Sequence, residues 1–123
     1  MATHRPKVFI VEDHHDSRET ISYALTAMGF EVISAGSCAD ALSLARTTSF
    51  DVLVSDIFLP DGDGTELLKE LRKLKDFPAI AVSGWCTESD FIRYYEAGFQ
   101  KCLSKPYSTR VLAEAVMTLR QNT

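Results

Sequence analysis

The sequence predicts an α/β domain of the doubly wound (βα)5 kind, with a five-stranded parallel sheet and helices on both faces. Three observations carry this. Strand-like and helix-like segments alternate five times along 123 residues. Each strand–helix–strand step is long enough for one right-handed crossover. The strand-like runs also end in polar residues: Val8–Val11 in Glu12-Asp13, Val52–Ser55 in Asp56, Ala79–Val82 in Ser83, and Cys102–Ser104 in Lys105-Pro106. In an open parallel sheet these would all sit at the carboxyl edge, where such sheets bind ligands.

Each element has a local reason. Lys7–Val11 is a β-branched and aromatic run, read as a strand. Ile21, Leu25 and Met28 share one helix face, and Gly29 ends that helix. Glu31–Ala35 is a weaker strand. Ser37 and Asp40 have capping-box spacing before Ala41, Leu42 and Ala45. Val52–Ser55 reads as a fully buried strand. Asp63 and Glu66 stand at N-cap and N3 spacing before Leu67, Leu71 and Leu74. Ala79–Val82 is a strand. Thr87 and Asp90 cap a helix carrying Phe91 and Tyr95 that stops at Gly98; among Phe91, Tyr94 and Tyr95, one side packs and the other is exposed. Lys101–Ser104 is a short strand, and Ser108 caps a last helix with Leu112, Ala115, Val116 and Leu119 inward.

Composition bounds the function. Hydrophobic residues make up 46%, charged residues 24%, and the net charge is −4. One globular domain with one core follows. There is no repeat or linker. No basic stripe points to nucleic acid. No apolar run approaches a membrane span, and Met1–Lys7 lacks the apolar core of a signal peptide, so a cytoplasmic location is expected. Cys38, Cys86 and Cys102 are odd in number and lack CxxC spacing. They are expected to be three buried or inert free thiols.

The strand ends supply the chemistry. Glu12, Asp13 and Asp56 would lie together, and unit charges about 4 Å apart repel by roughly 4 kcal/mol at an effective dielectric near 20. A cation relieves this, and hard oxygen ligands with open water positions suit Mg²⁺. A carboxylate can take a phosphoryl group as an acyl phosphate. Lys105 could pair with that phosphate, and the Ser83 hydroxyl could bond one of its oxygens. Each residue alone has an ordinary structural reading. Asp13 could merely cap a helix, and His14 and His15 read as solvated helix-start residues.

The segments Val11–His14, Val54–Gly64, Val82–Gly84 and Leu103–Tyr107 together resemble the receiver domain of two-component response regulators, over a core of about residues 7–119 of a single domain spanning 1–123. The resemblance implies a flavodoxin-like fold with strand order 2-1-3-4-5. It also implies Mg²⁺ dependence and phosphoryl transfer from a histidine kinase or phosphotransfer protein. Such a protein is a phosphoacceptor, not an enzyme with a separate substrate. By position, Asp56 is the phosphoacceptor. Glu12 and Asp13 form the acidic pair. Glu12, Asp13, Asp56 and the Phe58 backbone carbonyl are the expected metal-site groups, with Asp13 and Asp56 the direct carboxylate ligands. Ser83 follows the phosphate, Lys105 binds it, and Lys105-Pro106 is expected to be cis. A downstream protein would read the surface between the fourth and fifth helices, with a phosphorylation-dependent dimer as one outcome. A stand-alone regulator, a relay intermediate and part of a hybrid kinase or of a larger regulator are all compatible.

Two positions depart from the family pattern. Cys102 replaces the aromatic residue usual three positions before the lysine, so switching is expected to rest on Ser83, with the Trp85 loop reporting it. Phe58 is bulky beside the path of an attacking water, which leaves the phosphate lifetime open. Three other readings compete. Asp61-Gly62-Asp63-Gly64-Thr65 matches the DxDGT signature of haloacid-dehalogenase-like phosphatases, but Pro60 excludes a central strand there. A calcium loop fails because Arg72 stands where its glutamate belongs. The alternative function is a pseudo-receiver, a phosphorylation-independent binding module. It would have lost the acceptor, the acid pair or the lysine, and all are present.

Overall fold

The computed structural model describes residues 5–121. The leader reading of Met1–Lys7 and both limits of the 1–123 domain therefore lie partly outside the described residues. The five strands are β1 (Lys7–Val11), β2 (Glu31–Ala35), β3 (Val52–Asp56), β4 (Ala79–Ser83) and β5 (Lys101–Ser104). The five helices are α1 (His15–Ala27), α2 (Cys38–Ala45), α3 (Gly64–Arg72), α4 (Glu88–Ala97) and α5 (Thr109–Gln121). All sheet pairings are parallel, in the order β2-β1-β3-β4-β5. This is the doubly wound topology read from the sequence.

Strand alternation sorts the core into two layers. Phe9, Val11, Leu53, Ala79 and Ala81 face one side and pack with Leu67, Leu68 and Leu71 of α3 and Tyr94 of α4. Val8, Ile10, Val52, Val54, Ile80 and Val82 face the other and pack with Leu25 of α1 and Leu112 and Val116 of α5. Every residue of β3 and β4 is buried. That explains their unbroken apolar sequence, because helices cover both faces. Ser37, Asp63 and Thr87 cap α2, α3 and α4, the last in a reciprocal box with Asp90. Gly98 ends α4 at φ 119°, which favours glycine.

Several local readings change. A two-residue antiparallel pairing of Phe58–Leu59 with Gly62–Asp63 forms a hairpin between β3 and α3. The buried aromatic of α4 is Tyr94, while Tyr95 is 62% exposed. Met28 and Leu74, at the ends of their helix faces, are also partly exposed.

The cysteine reading is corrected more deeply. Cys86 and Cys102 form a disulfide, and Cys38 alone is free. The cause is tertiary. β4 and β5 are neighbours, with Ala81 opposite Cys102 and Ser83 opposite Ser104. The loop after Ser83 bends back over β5 and brings the two Cα atoms to 6.3 Å, within reach of a bridge. The 16-residue separation hides such a pair from any rule based on local spacing.

Candidate functional site

The sheet register aligns the polar strand ends. Val11 lies opposite Ser55, Asp56 opposite Val82, and Ser83 opposite Ser104. Glu12, Asp56, Ser83 and Lys105 therefore arrive at one edge on adjacent strands.

Glu12 is 4% exposed, and its backbone N–H extends the β1–β2 ladder to the Ala35 carbonyl at 3.1 Å. Its Oε2 accepts from the His14 backbone N–H at 3.0 Å. The Arg18 guanidinium donates to the Glu12 carbonyl at 2.8 Å and fixes the turn. His14 caps α1 by accepting from the Ser17 backbone N–H. Asp13 is thus not the cap, and its exposed carboxylate faces the other acids.

Asp56 is also 4% exposed. Its Oδ1 pairs with the Lys105 Nζ at 3.0 Å, and the same ammonium reaches Glu12 Oε1 at 3.2 Å. Asp56 Oδ2 is buried with no hydrogen-bond partner. Carboxylate oxygens of Glu12, Asp13 and Asp56 lie within 4.8 Å of one another. Burial, reinforced by the charge of Glu12 and by the hydrogen bond that a protonated Asp56 can give it, and only partly opposed by Lys105, pushes the Asp56 carboxyl up to about 8. Burial would also raise Glu12, but the partners Asp56, His14 and Lys105 together outweigh it and hold that carboxyl low. Burial would lower Lys105, and its contacts with Asp56 and Glu12 more than offset this, so the ammonium is held above its ordinary range.

An orphaned carboxylate oxygen beside two further acids, with one lysine among three carboxylates, is a donor set that fits a hard divalent cation.

Ser83, 3% exposed, ends β4. Its Oγ accepts from the Trp85 backbone N–H at 2.9 Å. The Tyr94 hydroxyl donates to the Trp85 carbonyl at 3.1 Å and lies 3.4 Å from Ser83 Oγ. Trp85 is 64% exposed. The Lys105 backbone N–H donates to the Ser83 carbonyl at 2.9 Å, and the Lys105–Pro106 peptide is cis. Tyr94 is the residue the sequence reading missed. Its helical spacing was visible, but adjacent tyrosines left open which one faced inward.

Asp61 and Asp63 do other work. Asp61 accepts from the Cys38 and Ala39 backbone N–H groups at 2.8 and 3.0 Å, which caps α2 across the loop. Asp63 accepts from the Thr65 backbone N–H and hydroxyl, both at 2.7 Å. Neither stands at the sheet edge, so the DxDGT-like run is structural. Phe58 opens the hairpin two residues past Asp56, and its side chain is 56% exposed.

Known proteins are similar to this chain in sequence and fold. The response regulator receiver domain family matches residues 8–117. The KDP operon transcriptional regulatory protein KdpE of Escherichia coli is 38% identical over 100 residues, covering 81% of this chain and 44% of that protein. The sensor histidine kinase RcsC of Salmonella typhimurium is 28% identical over 110 residues, covering 89% of this chain and 12% of that protein. The chain spans about half or less of the length of these curated relatives. The receiver domain of the Francisella response regulator 1452 superposes with a TM-score of 0.89 at 30% identity, covering 96% of this chain and 98% of that one.

Proposed function

Because the chain belongs to the response regulator receiver domain family, we propose that it takes a phosphoryl group onto Asp56 from a histidine kinase or phosphotransfer protein. The module is a phosphoacceptor rather than an enzyme that turns over a separate substrate. The observation that carries the residue assignment is Asp56 itself: buried, at the end of the central strand, with one oxygen on Lys105 and the other unpartnered.

In the transfer, an Asp56 carboxylate oxygen forms a bond to phosphorus. The phosphorus–nitrogen bond of the donor histidine breaks, and the imidazole leaves with the electron pair. Lys105 moves its ion pair from the carboxylate to the phosphoryl oxygens, a charge-assisted contact. Ser83 donates its hydroxyl proton to one of them. Glu12, Asp13, Asp56 and the Phe58 carbonyl would hold Mg²⁺, which would neutralise charge on the phosphoryl group.

The added charge of about −1.5 to −2 biases a two-state equilibrium of the loop after Ser83 and of α4. The reading surface is the α4–β5–α5 side, where Ile92, Tyr95 and Val111 are exposed. A downstream protein, or a second copy in a phosphorylation-dependent dimer, would dock there. We place the module as a single receiver domain in the cytoplasm. Among the described residues no helix is long and apolar enough to cross a membrane.

Labelling with a small acyl phosphate in Mg²⁺ tests the assignment. Wild type should take up one phosphoryl group and Asp56→Asn none. Equal labelling of both would move the acceptor elsewhere, and no labelling of wild type would favour the pseudo-receiver.

A further inference from the structure

We propose that Cys86 and Cys102 are a reversible redox pair that gates the response of this receiver, a regulation that rests on the phosphoacceptor reading above. The bond joins the two parts of the domain that must move relative to each other. Cys102 lies on β5, three residues before Lys105. Cys86 lies three residues after Ser83, in the loop that leads to α4. With the disulfide closed, Gly84 and Trp85 are the only residues between the strand end at Ser83 and a covalent anchor on β5. The loop is further tied by the Trp85 N–H on Ser83 Oγ and by the Tyr94 hydroxyl on the Trp85 carbonyl. Any displacement that carries Ser83 and its loop toward Asp56 must drag Cys86, and the bond to β5 resists it.

The pair is also open to exchange. Both cysteines are partly exposed. They line one surface groove with Thr87, Glu88, Phe91 and Lys101, so an external thiol can reach the sulfurs. The ion pairs that join Lys105 to Asp56 and Glu12 involve neither cysteine. The acceptor chemistry can therefore survive in either redox state while the mobile loop differs.

The chemistry is thiol–disulfide exchange with a low-molecular-weight disulfide such as oxidised glutathione. One cysteine thiolate attacks that disulfide, forming a mixed disulfide and releasing one glutathione thiolate. The second cysteine thiolate attacks the protein-bound sulfur and releases the other. Two protein thiols are oxidised, one glutathione disulfide is reduced to two thiols, and the two protons pass to solvent or to the released thiolates. A dithiol such as dithiothreitol runs the reverse.

The test uses linkage, because coupling between two sites is reciprocal. The protein, in a Cys38→Ser background so that no third thiol exchanges, is prepared closed with oxidised glutathione and open with dithiothreitol. Closure is verified by the loss of two hydrogens in mass. Beryllofluoride with Mg²⁺, a stand-in for the phosphoryl group, is titrated into each, and binding is followed by amide NMR shifts. The open form should bind at least about fivefold tighter, at the lower end of ordinary allosteric couplings, and residues 87–104 should shift more than in the closed form. Beryllofluoride should move the glutathione-buffered equilibrium toward the dithiol by the same factor. The Cys86→Ser, Cys102→Ser double variant, which keeps no thiol in that background, should behave as the open form in either buffer. Equal affinities and equal shifts in the two states overturn the gate, as does tighter binding by the closed form. Failure of glutathione buffers to interconvert the folded pair also overturns it. If neither form binds beryllofluoride, the phosphoacceptor reading falls and the gate with it.

Discussion

Neutralising Asp56 should remove a pH dependence that the metal-free protein otherwise carries. Burial and Glu12 push this carboxyl from 3.8 up to about 8 in the folded protein. The unfolded chain releases the proton near the lower value, so between the two the folded state binds more protons. Stability then falls as pH rises, by about 1.4 kcal/mol per unit at most. From pH 5 to pH 7 the limit is about 2.7 kcal/mol, and the expected loss is about 1–2.5 kcal/mol. Glu12, held low, and Lys105, held high, titrate outside that window. Asp56→Asn keeps the shape and discards the ionisation. Urea denaturation of both proteins in chelator at pH 5, 6 and 7 reads the effect, since every group that does not touch Asp56 cancels in the difference. Wild type should lose ground to the variant as pH rises. Excess Mg²⁺ should flatten the wild-type profile and raise its melting temperature, because it binds only the folded acids, and Asp13→Asn should weaken that gain. Parallel pH profiles for wild type and Asp56→Asn would refute the reasoning, as would melting that ignores Mg²⁺.

Three further outcomes are expected. Gly64→Ala should cost about 1–3 kcal/mol in chemical denaturation, since a Cβ there would meet the Asp56 carbonyl and the Ile57 Cα, backbone atoms that cannot turn aside; unchanged stability would show that the hairpin yields. Tyr94→Phe should cost about 0.5–1.5 kcal/mol and alter Trp85 fluorescence, because the Trp85 carbonyl loses its hydroxyl donor; an unaltered spectrum and melt would count against that tie. Cys38, whose thiol burial and then Asp61 push up to about 11, should alkylate at pH 8 roughly a hundredfold more slowly in the folded protein than in the urea-unfolded chain, which peptide mapping after timed iodoacetamide would show.

What could be read from the residues alone was whatever depends on neighbours in sequence. Strand spans from Lys7–Val11 to Lys101–Ser104 came from apolar runs and their polar ends. The caps at Ser37, Asp63, Thr87 and Ser108 came from side chains that satisfy orphan N–H groups a few residues away. Glu12, Asp13, Asp56, Ser83 and Lys105 were legible because strand ends in a parallel sheet share an edge. What stayed hidden depends on packing across the sheet. Tyr94 against Tyr95 is decided by which tyrosine finds the core. Asp61 on α2 and Cys86 on Cys102 are contacts over separations of 22 to 23 and 16 residues, with no periodic trace. Reading the cysteines by count alone went wrong for this reason.

The hairpin after β3 is held at three points: by the Gly64 N–H on the Ile57 carbonyl, by Asp63 on α3 and by Asp61 on α2. The loop after β4 hangs from a serine hydroxyl, a tyrosine hydroxyl and one sulfur bridge. The domain therefore has one braced jaw and one lightly tethered jaw. If phosphate arrives on Asp56 as proposed, substitutions on the braced side, around Phe58 and Gly64, are expected to act on how fast it arrives and leaves, and substitutions on the tethered side, around Trp85, Cys86 and Tyr94, on how much movement it produces. On that reading speed and gain are separate dials on this scaffold.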